Sequence, residues 1–100
     1  MIIGTTPTHI FTLPFDVNVV KSLKITYAQD GNVILTKKLN DCTADGQTVS
    51  VRLTQEDTFL FDYLCDIEIQ VRVLTNSGDA LTSTIHKVTV GKCLDDEVLV

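Results

Sequence analysis

Tryptophan is absent from this sequence, and alanine is nearly so, with 3 residues against 34 of Val, Ile and Thr. That imbalance excludes a helical protein, because β-branched side chains favour a pleated surface. The 5 glycines, each readable as a turn or a strand end, are too few and too scattered for a phosphate-cradling loop. The 6 aromatic residues form no stripe on which sugars could stack. Basic residues are outnumbered, 8 against 13 acidic, and the net charge of −5 speaks against a nucleic-acid backbone as partner. No basic cluster is present beyond Lys37 and Lys38. No apolar run approaches the length that spans a bilayer, so no membrane partner is expected. Met1–Gly4 lacks the charged and apolar regions of a secretory leader. Three widely spaced cysteines, Cys42, Cys65 and Cys93, suit free thiols in a reducing compartment better than a disulfide framework, so cytoplasmic synthesis is expected.

What the chain does have is alternation. From Cys65 to Val73 every odd position is apolar and every even one polar or charged, the period of a strand buried on one face. The same pattern sets Leu23, Ile25 and Tyr27 against Ser22, Lys24 and Thr26, and runs into the Asp30-Gly31-Asn32 turn and a returning strand from Val33 to Leu39. Thr8–Leu13 is a short strand stopped by Pro14, and Thr48–Thr54 carries Val49, Val51 and Leu53 inward. Asn40–Gln47 reads as a polar connection. At Thr54-Gln55-Glu56-Asp57 the period breaks; a capping hydroxyl followed by acidic residues predicts one helical turn, with Phe59 or Phe61 plugging the core. Asn76–Asp79 is a turn, and the closing strand Leu81–Val90 changes phase, which predicts a β-bulge near His86. The result is one small all-β antiparallel sandwich over 1–92, of about six or seven strands with one short helical turn, and a C-terminal tail over 93–100.

Chemistry-bearing patterns are thin. Asp41 to Asp45-Gly46 imitates the start of a calcium loop, but its twelfth position is Arg52 where a bidentate Glu is required. His9 and His86 have no His or Cys partner at zinc-ligand spacing, and each reads as a strand or bulge residue. Cys65 falls on the apolar face of its strand, where a thiol is an inert hydrophobe. Asp62 with Asp66, or Glu56 with Asp57, read as solvated charges. The expectation is no catalytic residue, no cofactor and no metal.

The run Val49-Ser-Val-Arg-Leu53-Thr-Gln-Glu-Asp-Thr58-Phe-Leu-Phe61, then Ile67–Val73, a Gly78-Asp79 turn and a closing strand to Val90, resembles small all-β proteins of tailed-phage and prophage structural gene clusters. The layout is similar to the immunoglobulin-like N-terminal module of phage baseplate proteins, and Thr12–Asp16 is similar to the opening of such short proteins. The resemblance spans nearly the whole chain and brings no catalytic set. It implies a non-enzymatic virion structural or assembly protein of tail or baseplate type, whose partners are other virion proteins or copies of itself in a homo-oligomer. The expected contact residues are an edge strand carrying Val33, Leu35, Lys37 and Lys38, where the lysines also block unwanted pairing, and the apolar tail residues Val98, Leu99 and Val100. The alternative is a stand-alone module binding a carbohydrate or host protein through the loops Asn40–Gln47 and Asn76–Asp79.

Overall fold

The computed structural model describes every residue from Met1 to Val100. In chain order its strands are β1 (Thr8–Thr12), β2 (Val20–Gln29), β3 (Asn32–Lys38), β4 (Thr43–Asp45), β5 (Thr48–Arg52), β6 (Ile67–Thr75), β7 (Ala80–Thr82) and β8 (His86–Val88), with the helical turn α1 (Gln55–Thr58) between β5 and β6. The two longest alternating runs become the two longest strands and pair with each other. Their antiparallel register sets Leu23 opposite Val73, Ile25 opposite Val71 and Tyr27 opposite Ile69, so all six side chains share one face. β3 returns along the other edge of β2 through Asp30-Gly31, both at positive φ (50° and 77°). This is the backbone of a type I′ hairpin turn, and glycine meets its second position without strain.

Two sheets result. The smaller has the order β1-β5-β4; the larger has β3-β2-β6-β7, with β8 also paired to β6. This is the order of an immunoglobulin-like sandwich, in which the second, fifth and fourth strands face the sheet built on the third and sixth. The strand that would flank β1 is missing. Instead Ile2 makes a single parallel bridge to Gly91. Between the sheets, Ile25, Tyr27, Val49 and Leu53 are fully buried, and Phe61 is the aromatic plug after α1. Thr54 caps α1 as its side chain accepts from Asp57 N–H, while the Asp57 carboxylate accepts from Thr54 N–H in return.

Three details depart from the sequence reading. Asn40–Gln47 contains β4, a strand invisible to periodicity because all three of its residues are exposed and it pairs only with β5. The closing strand is two short ones. Between Thr82, opposite Arg72, and His86, opposite Ile69, β7–β8 carries one residue more than β6, which is the expected bulge, displaced to Ser83–Ile85. There the Ser83 hydroxyl accepts from Val71 N–H and keeps the β6 ladder satisfied. Finally, β6 begins at Ile67, so Cys65 lies outside the strand rather than on its apolar face.

β2 turns away after its last pair with β6, Ala28 with Glu68, and the segment ahead of β6 is held instead by Gln29. This side chain is buried at the end of β2, and its amide nitrogen donates to the carbonyls of Asp62 (2.7 Å) and Cys65 (3.0 Å), while its oxygen accepts from Asp62 N–H (2.8 Å). One carboxamide therefore takes up backbone groups of the segment that leads into β6. Truncation removes the partner of three part-buried backbone groups, so Gln29→Ala is expected to cost about 1–3 kcal/mol in urea unfolding. An unchanged midpoint would show that the 62–65 segment is not held in this way.

Candidate docking cleft

Where the missing strand would lie, the sandwich is open. β1 pairs only with β5, and β7 and β8 pair only with β6, so at this corner both sheets present a free backbone edge. Between them is a cleft of about 610 Å³. Its floor is the inward face of β6, Ile69, Val71 and Val73; Phe11, Leu13 and Phe15 form one wall, and Leu81 and Val88 the other. Leu81, opposite the inward-facing Val73, is 45% exposed at this opening. The volume falls in the ordinary range of binding sites, about 300–1,000 Å³.

The N-terminal segment closes one end only. Gly91 N–H donates to the Met1 carbonyl (2.7 Å), Ile3 N–H donates to the Gly91 carbonyl (3.1 Å), and the terminal ammonium donates to Thr89 (2.8 Å). A Cβ at position 91 would stand 3.0 Å from the Ile2 side chain, a tight contact that Ile2 would have to relieve by shifting. Beneath this segment the fully buried Thr58 hydroxyl accepts from Gly4 N–H (2.9 Å) and lies 3.0 Å from the Thr5 carbonyl, pinning the segment to α1. The rest of the corner stays uncovered.

His9 and His86, remote in sequence, line this same cleft. His9 Nδ1 shares a 2.7 Å hydrogen bond with the hydroxyl of Tyr27. Burial, with a smaller contribution from the nearby N-terminal charge, holds the imidazole below its ordinary 6.5, and burial pushes the Tyr27 phenol far up. The pair is thus neutral near pH 7. Ser83 is engaged by Val71 N–H and the Thr84 carbonyl. Cys42 donates to the Lys38 carbonyl, and burial together with the Asp41 charge pushes its thiol up despite Lys37. All three cysteines are free. What the corner offers is apolar surface and strand edges, with His9 and Ser83 already bonded.

The residues selected from sequence are distributed unevenly. β3 is an edge strand as expected, and Val33 on it is 63% exposed. Leu35, however, lies opposite Tyr27 and packs on the core, while Lys37, opposite Ile25, turns inward to an ion pair with Asp57 at 3.0 Å. Neither faces outward; Lys38 does. A one-residue bulge at Ile34 shifts Val33 out of their phase. Burial alone would raise the Asp57 carboxyl, but hydrogen bonds from Thr54 and the Lys37 charge together hold it low. In the tail, Leu99 and Val100 are exposed and Val98 is half-buried; both backbone groups of Leu99 bond the Gln55 carboxamide. The loops of the alternative reading do converge. Gly46 and Gln47 accept from Val17 and Leu13, and Asn76 N–H donates to Val19, so both border the β1–β2 connection.

Sequence reasoning missed the cleft, whose walls meet only through the pairing of distant strands. It also missed a cationic row. Lys38, Lys24 and Arg72 stand directly opposite one another across β3, β2 and β6 on the outward face, which corrects the reading that no basic cluster exists beyond Lys37 and Lys38.

No protein-family model matches the chain, and no curated protein is significantly similar to it. Among solved structures, the V domain of amphioxus IgVJ-C2 aligns with 90% of this chain and 96% of its own, at 12% identity and a TM-score of 0.36. The immunoglobulin-like assignment therefore rests on strand order, not on that overlap.

The His9 site yields a pH dependence with a definite sign. Its folded-state pKa lies below the unfolded 6.5, so the unfolded chain takes up the proton first. The stability contributed by neutral His9 is complete above about pH 6.5 and is lost as pH falls through that value toward the folded one. Thermal unfolding across this window is expected to show a decline for the native chain that His9→Gln flattens. Identical profiles would contradict the buried, neutral assignment.

Proposed function

We propose that the chain is a non-enzymatic structural or assembly component of a tailed-phage or prophage particle, of tail or baseplate type, acting through protein–protein contacts and synthesised in the cytoplasm. The observation that carries this reading is the unsealed corner. Two free strand edges flank an apolar cleft, which is the arrangement that accepts an extended segment of a neighbouring protein by strand addition. Main-chain hydrogen bonds to β1 or to β7–β8 would supply affinity, and alternate side chains entering the cleft would supply selectivity. Each apolar side chain buried there contributes roughly 1.5–3 kcal/mol before ordering costs. The setting comes from the resemblance of the 49–90 segment to phage structural proteins.

A second reading, a module that binds a carbohydrate or host protein, is supported by the convergence of the 46–47 and 76–79 loops at one end of the sandwich. Polar loops on a rigid scaffold commonly carry binding, but these loops also do what any sandwich needs, namely join its strands.

Mass spectrometry of particles purified after prophage induction tests the proposal. The chain is expected at a fixed copy number relative to the major tail protein. Leu81→Glu, which places a charge in the cleft at a half-exposed site without emptying the core, is expected to cut incorporation about tenfold or more. Absence of the native chain from particles would overturn the assembly reading, and saturable glycan binding by the isolated chain would favour the second.

A further inference from the structure

The larger sheet hides its apolar residues on one face, and its other face carries an arrangement with no evident stabilising role. Lys24 is opposite Lys38 on one side and opposite Arg72 on the other. All three are exposed. Directly opposed cross-strand residues have their Cβ atoms about 5 Å apart, and like charges at such positions destabilise a sheet. The flanking rows are uncharged, Thr36, Thr26 and Gln70 on one side and Ser22, Leu74 and Ala80 on the other, and the nearby Asp41 carboxylate bonds the Lys38 backbone N–H without an ion pair to the row. The protein's single ion pair, Lys37 with Asp57, lies on the opposite face. A chain of net charge −5 thus concentrates three unpaired cations in one line.

The same chain carries the complement. Asp95, Asp96 and Glu97 are consecutive and exposed, and their only hydrogen bonds are local ones, Cys93 Sγ to the Asp95 carbonyl and Glu97 N–H to the Asp95 carboxylate. Their neighbour Leu99 is tied to Gln55 at the start of α1, not to the larger sheet. We infer that the Lys38–Lys24–Arg72 row is a docking surface for the Asp95–Glu97 segment of a second copy of this chain. Row and segment are different patches of one molecule, so the contact can close reciprocally in a two-fold pair or continue head to tail into rings or open arrays. Exposed charges of this kind act through long-range attraction and are screened by salt. The inference deepens the assembly reading by naming one contact, and it uses a face separate from the cleft.

Sedimentation velocity on the full-length chain tests it. Self-association is expected at roughly 50 mM salt and is expected to weaken about tenfold or more at roughly 500 mM. The double variants Lys24→Glu/Arg72→Glu and Asp95→Lys/Glu97→Lys should each be monomeric alone. Mixed in equal amounts they should associate, because each reversed patch then meets its opposite. Circular dichroism melts of both variants are expected to match the native chain, as outward substitutions leave the core intact. A native chain that is monomeric at low salt would overturn the inference. So would association indifferent to salt and to both variants, or a row whose reversal abolishes only the binding of a short DNA duplex. None of these results bears on whether the chain is found in particles, so the inference can fail while the assembly reading stands.

Discussion

Everything on both faces of this protein follows from the register of β2 against β6. Eight cross-strand pairs, from Val20 with Thr75 to Ala28 with Glu68, join the two longest strands. Because side chains alternate with a period of two, one alignment decides both faces together. It turns Leu23, Ile25, Tyr27, Ile69, Val71 and Val73 into the core, and with them the floor of the open cleft. It also places Lys24 beside Arg72 on the outside. A slip by one residue would expose the core and bury the cations. The energetic preference for the native register is therefore large even though the outer face, taken alone, is repulsive.

Departures from ideal pairing are concentrated at the margins of this central pair. An extra residue at Ile34 lets β3 keep Leu35 and Lys37 inward while Val33 turns out. Another between Thr82 and His86 splits the last strand and directs both Leu81 and Val88 to the cleft. Bulges of this kind bend an edge and discourage indiscriminate pairing. β3 accordingly has a bulged edge with its lysines close by. β1 keeps a regular, uncharged edge beside an apolar cleft, and this asymmetry is why the docking argument rests on that corner rather than on β3.

The elements carried by a strong local signal were legible in the sequence. Alternation in β2 and β6, the Asp30-Gly31 turn, the Thr54 cap and the change of phase before Val88 each have a cause within a few residues, and each appears within a residue or two of its expected place. β4 was not legible, because three exposed residues at a sheet edge have no apolar period. The true start of β6 was hidden as well, since it depends on where its distant partner β2 turns away, after Ala28 pairs with Glu68. Of the residues chosen as contacts, Lys37 was misjudged for a similar reason: its partner Asp57 belongs to a different element. The cleft and the cationic row are products of strand order and register, and no pattern within a single segment reports either.

Amide hydrogen exchange on the dilute, isolated chain tests the central claim, an open corner on a firm β2–β6 pair, most directly. Slow exchange is expected throughout β2 and β6, together with fast exchange at those amides of Thr8–Thr12 and Ala80–Val88 that face away from β5 and β6. Protection of these edge amides as strong as that of Ile25 or Val71 would mean that the corner is already sealed, and would contradict that claim.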